Sequence, residues 1–241
     1  MDLENLNKKR LLEIPFRYPE YFLSLDIESR FLIARAAVLN GDLDTLTKIV
    51  ELDVTVVSHV SKCTLFSLAA ERVKINLFEF FMDIIPEFAV MEPLENLSPL
   101  ADAIRHERMK NLKALNDLNL DLTQEIIVKE NAFTPVQLAF RWRCRIVFLY
   151  FLEKFGKQYV LDQLLKLYGT KNEIMSAAMK PSPYLDLVEI LQRHLGFDLN
   201  DEYSCNGKKG SIMVLLPDQP KYQDYFSTYQ DYFKRRFGLQ N

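Results

Sequence analysis

The sequence predicts an all-α protein in which pairs of helices stack into a solenoid, and three observations support this fold class. Glycine is scarce, with 7 in 241 residues, whereas average usage near ~7% would give roughly 17. Similar runs of residues recur at nearly regular spacing along the chain, and each is followed by a second amphipathic segment. Because one helix pair cannot bury its apolar face alone, stacked pairs are expected to share one continuous core.

The first helix of each pair is predicted by its start. The runs TLFSLAA at 64–70, SPLADAI at 98–104 and TPVQLAF at 134–140 each begin with threonine or serine, which can cap unpaired backbone N–H groups. Proline follows directly in two of them, at the first helical position, where it costs no hydrogen bond. The small residues Ala69, Ala103 and Ala139 then allow neighbouring helices to approach closely.

A second helix and an exit segment follow in the same order. Apolar residues spaced three and four apart predict the second helices at 41–50, 75–81, 109–115 and 185–191. Short acidic segments then close the units, at 52–55 (LDVT), 120–123 (LDLT) and 196–200 (GFDLN).

These three segments, in this order, resemble the ankyrin-repeat family, whose units open on T-P-L-H-x-A-A and repeat about every 33 residues. The resemblance implies a solenoid that binds another protein through the concave face lined by its first helices. Another α-solenoid, such as TPR or HEAT, and a helical domain without repeats are the alternatives that the helix pairs leave open. The histidine of the opening signature is absent, with Ser67 and Gln137 at its position and Asp102 nearby.

The resemblance gives the predicted organisation of the chain. Residues 1–29 are expected to form an N-terminal helical cap, 30–208 the ankyrin-like repeats, and 209–241 a degenerate last repeat with an aromatic C-terminal helix. Six units are expected, at approximately 30–60, 61–95, 96–131, 132–168, 169–208 and 209–237. Gly41 precedes the first of the second helices, and Val73, Glu107 and Arg143 stand where later units would have that glycine.

Charge and cysteine content exclude several function classes. The net charge of −3 is near neutral for this length, so nucleic acid and anionic membranes are not indicated as partners. No apolar run reaches the ~20 residues of a membrane span, and the N-terminus has no secretory h-region. Cys63, Cys144 and Cys205 are odd in number and far apart, which indicates a reducing, cytoplasmic compartment.

No motif predicts catalysis, a cofactor or a metal. Phosphate-binding glycine loops, the zinc-protease H-E-x-x-H and the G-x-S-x-G elbow are all absent. His59 and Cys63 lie four residues apart, whereas His194 and Cys205 lie far apart without further ligand residues. We therefore expect a protein that is not an enzyme, with no cofactor and no metal. An enzyme with an unrecognised cysteine-based site, at Cys63 or Cys205, is the alternative.

The ends of the first helices supply candidate partner-binding residues. Stacking should align the positions that follow the small residues, and together they form a row that we call the basic row: Arg72, Arg105, His106, Arg141, Trp142 and Arg143. Tryptophan and arginine are enriched in binding hot spots, and arginine suits carboxylates, so an acidic partner surface is expected. The alternative is that Trp142 covers the core and the arginines form a solvated face.

The C-terminal segment and the low glycine content of the repeats lead to two further hypotheses. The segment carries an aromatic face, which packs on the core or supports self-association as a scaffold or inhibitor: Tyr222, Tyr225, Phe226, Tyr229, Tyr232, Phe233 and Phe237.

Low-glycine, degenerate ankyrin-like chains are similar to those of intracellular bacterial pathogens and large viruses. The resemblance therefore implies an effector translocated into a host cell, whereas the oligomeric state stays open.

Overall fold

A computed structural model of the chain describes residues 8–59, 64–91, 97–179, 185–205 and 207–215. These residues are mostly helical, with two short antiparallel hairpins. The hairpins correct the prediction of an all-α chain. The chain divides into two compact units, Met1–Pro135 and Val136–Asn241.

The first unit holds nine α-helices and one hairpin within its described residues. They are α1 (Lys8–Arg17), α2 (Pro19–Ser24), α3 (Ile27–Asn40), α4 (Leu43–Leu52), α5 (Thr55–Ser58), α6 (Leu65–Glu71), α7 (Phe78–Ile84), α8 (Pro99–Arg105), α9 (Met109–Asp117), β1 (Ile126–Val128) and β2 (Asn131–Phe133). Two 3-10 turns, Ile75–Leu77 and Pro86–Ala89, flank α7. Helix α6 packs against both α3 and α8, so the first helices of consecutive pairs are neighbours.

Side-chain caps start α6 and α8 where the sequence predicts them. The Thr64 hydroxyl accepts the Ser67 N–H at 3.0 Å, and the Ser67 hydroxyl accepts the Thr64 N–H at 3.1 Å, which completes a capping box. The Ser98 hydroxyl accepts the Ala101 N–H at 3.2 Å. The expectation that these residues begin helices is confirmed.

The same Schellman turn ends the first helix of four pairs. The turn residues Gly41, Val73, Glu107 and Arg143 all have positive φ, at 72°, 54°, 50° and 63°. In each turn this residue donates its N–H to the carbonyl three residues earlier, and the next residue donates to the carbonyl five residues earlier, at 2.8–3.1 Å. The non-glycine residues at these positions therefore keep the backbone conformation that glycine adopts in the first turn.

The predicted exit segments also share a local structure. The Oδ1 atoms of Asp53, Asp121 and Asp198 accept the N–H of the residue two positions later, at 3.0, 2.8 and 2.9 Å. These are Asx turns, which satisfy the backbone after a helix without glycine. Three sequence segments that look alike thus have the same hydrogen bond.

Small and aromatic side chains fill the interior of the first unit. Ala69 and Ala103, predicted as contact residues between helices, are fully buried or nearly so. Phe66 stacks on Phe81 with ring centroids 5.3 Å apart and meets Phe78 edge-on at 5.5 Å. Aromatic contacts therefore join the second helix of this pair to the first.

The second unit departs further from the expected helix pairs. It contains α10 (Pro135–Arg141), α11 (Arg145–Phe155), α12 (Lys157–Tyr168), α13 (Lys171–Met179), α14 (Leu185–Leu195), α15 (Ile212–Leu215), β3 (Tyr203–Cys205) and β4 (Lys208–Gly210). Helix α12 follows α11 directly at Gly156, so the expected unit 132–168 contains three helices instead of two. The predicted aromatic helix after residue 216 lies outside the described residues.

Candidate functional site

The predicted residues of the basic row lie at the ends of first helices. Arg72 caps the end of α6, with 58% of its side chain exposed. Arg105 is the last residue of α8 and is exposed, and His106 is the C-cap with 52% of its side chain exposed. Because α6 and α8 are packed neighbours, these three residues belong to adjacent helix ends of the first unit.

A cleft of about 370 Å³ lies between these helices, and we call it the α6–α8 cleft. Helix α6 contributes Ser67 and Glu71, and α8 contributes Asp102, Arg105 and the C-cap His106. Its remaining lining residues are Leu97 and Arg108. Two of the six predicted row residues thus line one cavity, and Arg72 lies next to it.

A partly buried ion pair forms the floor of the cleft. Arg108 Nη1 lies 2.6 Å from Asp102 Oδ2, and the side chain of Asp102 is only 12% exposed. The same guanidinium donates to the carbonyls of Ala70 and Glu71, at 2.9 and 3.1 Å. Positive charge at the carbonyl end of a helix complements its dipole, so Arg108 joins α8 to the end of α6.

Burial controls the protonation of this carboxyl group. Desolvation is the largest effect and raises the pKa of Asp102, while the attraction of Arg108 opposes it. His106 Nε2 stands 3.6 Å from Asp102 Oδ1 and also acts to lower the pKa, whereas Glu71 acts to raise it. The net result is a raised pKa, so Asp102 loses its proton less readily than an exposed carboxyl group does.

Two further polar side chains fix the cleft walls. The Ser67 hydroxyl donates to the Thr64 carbonyl at 3.0 Å, in addition to accepting the Thr64 N–H. Asn111 is fully buried on α9 and donates from Nδ2 to the Ala70 carbonyl at 3.0 Å, although its Oδ1 has no hydrogen-bond partner within the described part of the chain. The end of α6 is therefore held by side chains from the next helix pair.

The other half of the basic row lies in the second unit. Arg141 ends α10 and is exposed, whereas Trp142 and Arg143 in the following turn are half-buried. Burial raises the pKa of the Tyr168 phenol, and the positive charges of Arg141 and Arg143 partly offset it. A half-buried tryptophan fits both interpretations of this residue, as a partner contact and as a cover of the core.

The cysteine residues of the alternative enzyme hypothesis fall largely outside the described part of the chain, whereas His59 lies within it. His59 Nε2 lies 2.9 Å from Glu28 Oε1, and its ring meets Phe31 edge-on. Cys63 and the side chain of Cys205 lie outside the described residues, and Cys144 is buried. No group of three or more potential metal ligands occurs in the described ranges. None of the helices described there has the length and apolar character needed to cross a membrane.

Sequence reasoning did not select the floor of the cleft. In the sequence, Asp102 lies near the position of the signature histidine, and no motif includes Arg108. The contacts of Arg108 with Ala70 and Glu71 join residues of different helix pairs, so no local spacing indicates them. The signal that could have found Arg108 is a basic residue directly after a position that aligns with Gly41, a place that Lys74 also has.

No known protein-family model matches the chain, and no curated protein matches its sequence.

Proposed function

We propose that this chain is a non-catalytic protein-interaction module of the ankyrin-like type, which binds a partner at the ends of its first helices. The observation that carries the proposal is the common turn after α3, α6, α8 and α10. It gives the C-cap residues Arg72 and His106 equivalent exposed places at the ends of the neighbouring helices α6 and α8, and Arg105 is the exposed residue directly before His106. Repeated side chains at equivalent positions are how stacked helix pairs build a binding surface.

The bonding within the α6–α8 cleft supports binding over catalysis. Its buried polar groups already have structural partners: Asp102 has Arg108, and Ser67 has Thr64. The groups at its mouth, Glu71, Arg105 and His106, are exposed. Exposed charged and aromatic side chains on a firmly bonded frame suit recognition of another protein.

The experiment is affinity capture with the tagged full-length chain and charge-reversal variants. Arg105→Glu tests the first unit, and the double variant Trp142→Ala/Arg141→Glu tests the second. Arg17→Glu is the control, since Arg17 ends α1 with 65% of its side chain exposed. Lysate of a host cell is included, because the resemblance to pathogen repeat proteins makes an effector role part of the proposal.

The expected result is a stoichiometric partner that the Arg17→Glu protein retains and at least one row variant loses. Purified partner should then rebind the original chain and bind that variant at least tenfold more weakly, as expected when a charged hot-spot contact is reversed. A partner retained equally by all variants contradicts the proposed surface. Failure of every lysate to yield a saturable partner contradicts the interaction function itself.

A further inference from the structure

We propose that two copies of this chain associate through the outer edge of β1, with residues 125–129 of one copy antiparallel to the same residues of the other. This edge belongs to the β1–β2 hairpin of the first unit and is separate from the basic row, so the association goes beyond the proposed partner-binding function. Three features of β1 support it: outward backbone groups, an exposed apolar side chain and a sequence that is complementary to itself.

The geometry of the hairpin directs one set of β1 backbone groups outward. The turn residues at 129–130 have φ of 48° and 66°, which is typical of the type I′ turn of a two-residue hairpin loop. Such a turn bonds its first carbonyl to the N–H three residues on, so Val128 and Asn131 form a hydrogen-bonded pair. Because bonded and non-bonded pairs alternate along antiparallel strands, the next pair, Ile127 with Ala132, directs its N–H and C=O groups away from the hairpin.

The outward groups of Ile127 are open within the described part of the chain. Outside the β1–β2 ladder, the Ile127 backbone makes no hydrogen bond to any described residue. The chain on both sides of the hairpin is described without a gap, from 97 to 179. An open strand edge of this kind is a template for pairing with another strand.

The second hairpin shows the same outward position with a partner. Ser204 is the middle residue of β3, as Ile127 is of β1. The Ser204 N–H donates to Asn172 Oδ1 at 3.1 Å, and Asn172 Nδ2 donates to the Glu202 carbonyl at 3.3 Å. A side-chain amide thus covers the outer edge of β3, whereas no described group does the same for β1.

The side chain at the open position is apolar and exposed. Ile127 is 50% exposed, whereas its neighbour Ile126 is fully buried. Residues directly opposite on antiparallel strands have Cβ atoms about 4.5–5.5 Å apart on one face of the sheet. When the two copies place Ile127 opposite Ile127, each isoleucine therefore covers the other. The two N–H groups then pair with the two carbonyls as a hydrogen-bonded pair.

The charges that flank Ile127 favour a second copy in the antiparallel direction. Residues 125–129 read Glu-Ile-Ile-Val-Lys. With the two Ile127 residues opposite each other, Glu125 of each copy therefore lies opposite Lys129 of the other. A parallel arrangement would place like charges opposite each other, which is destabilising. Both charged side chains already have interactions within their own chain, so the preference depends on the sign of their charges and requires no free hydrogen-bonding group.

Sedimentation equilibrium of the full-length chain under reducing conditions measures the association. Concentrations up to about 1 mM are needed, because an interface this small is weak. The expected result is a reversible monomer–dimer equilibrium. Ile127→Pro should abolish it, since proline removes the outward N–H without removing a bond of the hairpin. Ala132→Pro is the matched control, because it removes the outward N–H of β2 and should leave the equilibrium unchanged.

Charge exchange tests the antiparallel register without altering the backbone. Glu125→Lys and Lys129→Glu should each weaken dimerisation about tenfold, because each change places like charges opposite each other twice. The double variant Glu125→Lys/Lys129→Glu has the net charge of the original chain and restores both opposite-charge pairs. Its dimerisation should return to within about twofold of the original. Damage to the fold by one substitution would not be repaired by the other.

Three results would overturn the proposal. One is a chain that stays monomeric over the whole concentration range. Another is a dimer that Ile127→Pro and Ala132→Pro retain equally, which would place the contact elsewhere on the molecule. The third is a double charge variant that dimerises as weakly as the two single variants, which would reject the antiparallel pairing of residues 125–129.

Discussion

The turn after α3 and the turn after α6 have the same backbone conformation and different residues. The first has Gly41 at φ 72°, and the second has Val73 at φ 54°, with 45% of the valine exposed. A β-branched residue is strongly disfavoured at positive φ, and here it gains little burial in return. The backbone hydrogen bonds and the packing of the helix pairs therefore determine this turn, and the valine tolerates it.

The two turns also differ in what covers them. Asn76 donates weakly to the Gly41 carbonyl at 3.4 Å, and Lys74 passes close to Gly41. The end of α6 is instead bonded by Arg108 and Asn111 at 2.9–3.1 Å. Lys74 and Arg108 both follow a positive-φ residue, so they occupy equivalent positions. Arg108 hydrogen-bonds to the end of the preceding first helix, whereas Lys74 lies close to Gly41.

The largest expected effect comes from removing the stronger of these two contacts. Arg108→Ala should lower the free energy of unfolding by about 2 to 3 kcal/mol, because it leaves the buried carboxylate of Asp102 without its guanidinium partner and removes a hydrogen bond to each of the Ala70 and Glu71 carbonyls. Lys74→Ala, at the equivalent position, should cost less than about 0.5 kcal/mol. Urea unfolding of the full chain measures both. Equal losses for the two variants would show that the contacts of Arg108 contribute no more to the free energy of unfolding than those of Lys74.

The next effect concerns the glycine turn. Gly41→Val should cost about 2 kcal/mol in the free energy of unfolding, because an L-residue with a β-branch is strained at positive φ. The added Cβ itself meets no close neighbour, since it would lie 3.6 Å from Lys74, an ordinary contact distance. Gly41→Asn is the control and should cost less than half as much, because asparagine tolerates this conformation. Similar losses for both variants would refute the strain argument.

Relief of strain in the valine turn should give a smaller change of opposite sign. Val73→Gly should raise the free energy of unfolding by about 1 kcal/mol, since the strain exceeds the entropic cost of glycine. Asn119→Gly is the control, because Asn119 also has positive φ, at 64°, and should change stability by only a few tenths of a kcal/mol. A loss of stability for Val73→Gly would mean that the valine is not strained in the folded protein.

The smallest expected effect is a pH dependence of stability that distinguishes a carboxylate in an Asx turn from an ordinary surface carboxylate. Hydrogen bonds from Thr123 lower the pKa of Asp121 below its usual 3.8, so its contribution to stability is present above that pH and disappears as the pH falls through the folded-state value. Asp121→Asn should therefore lower stability at pH 7, and the deficit should shrink at pH 3. Asp83→Asn, on the exposed side of α7, is the control. A deficit that is equal at both pH values contradicts the linkage.

Local signals in the sequence predict the features that depend on local chemistry. Thr64 and Ser98 begin helices because their hydroxyl groups reach the N–H three residues on, which a short motif shows. The exit segments resemble one another in the sequence, and in the structure each forms an Asx turn. The exposed ends of α6 and α8, and hence Arg72, Arg105 and His106, follow from the helix lengths.

The features that the sequence did not predict depend on other interactions. The hairpin β1–β2 turns through Lys129 and Glu130 at positive φ, whereas the usual signal for such a turn is Asn-Gly. Helix α12 follows α11 with only Gly156 between them, and one glycine does not indicate an additional helix. The pairing of Asp102 with Arg108 requires the packing of consecutive pairs, so spacing within one motif gives no indication of the cleft floor.

The common turn is the basis of both the fold interpretation and the proposed surface, and backbone torsion angles measured by NMR test it most directly. Isotope-labelled full-length protein gives φ for Gly41, Val73, Glu107 and Arg143 from scalar couplings and chemical shifts. The account predicts positive φ at all four positions, with the turn N–H groups protected from exchange. Negative φ at Val73, Glu107 or Arg143 would contradict it, because the helix ends that carry Arg72, Arg105 and Arg141 would then no longer be equivalent.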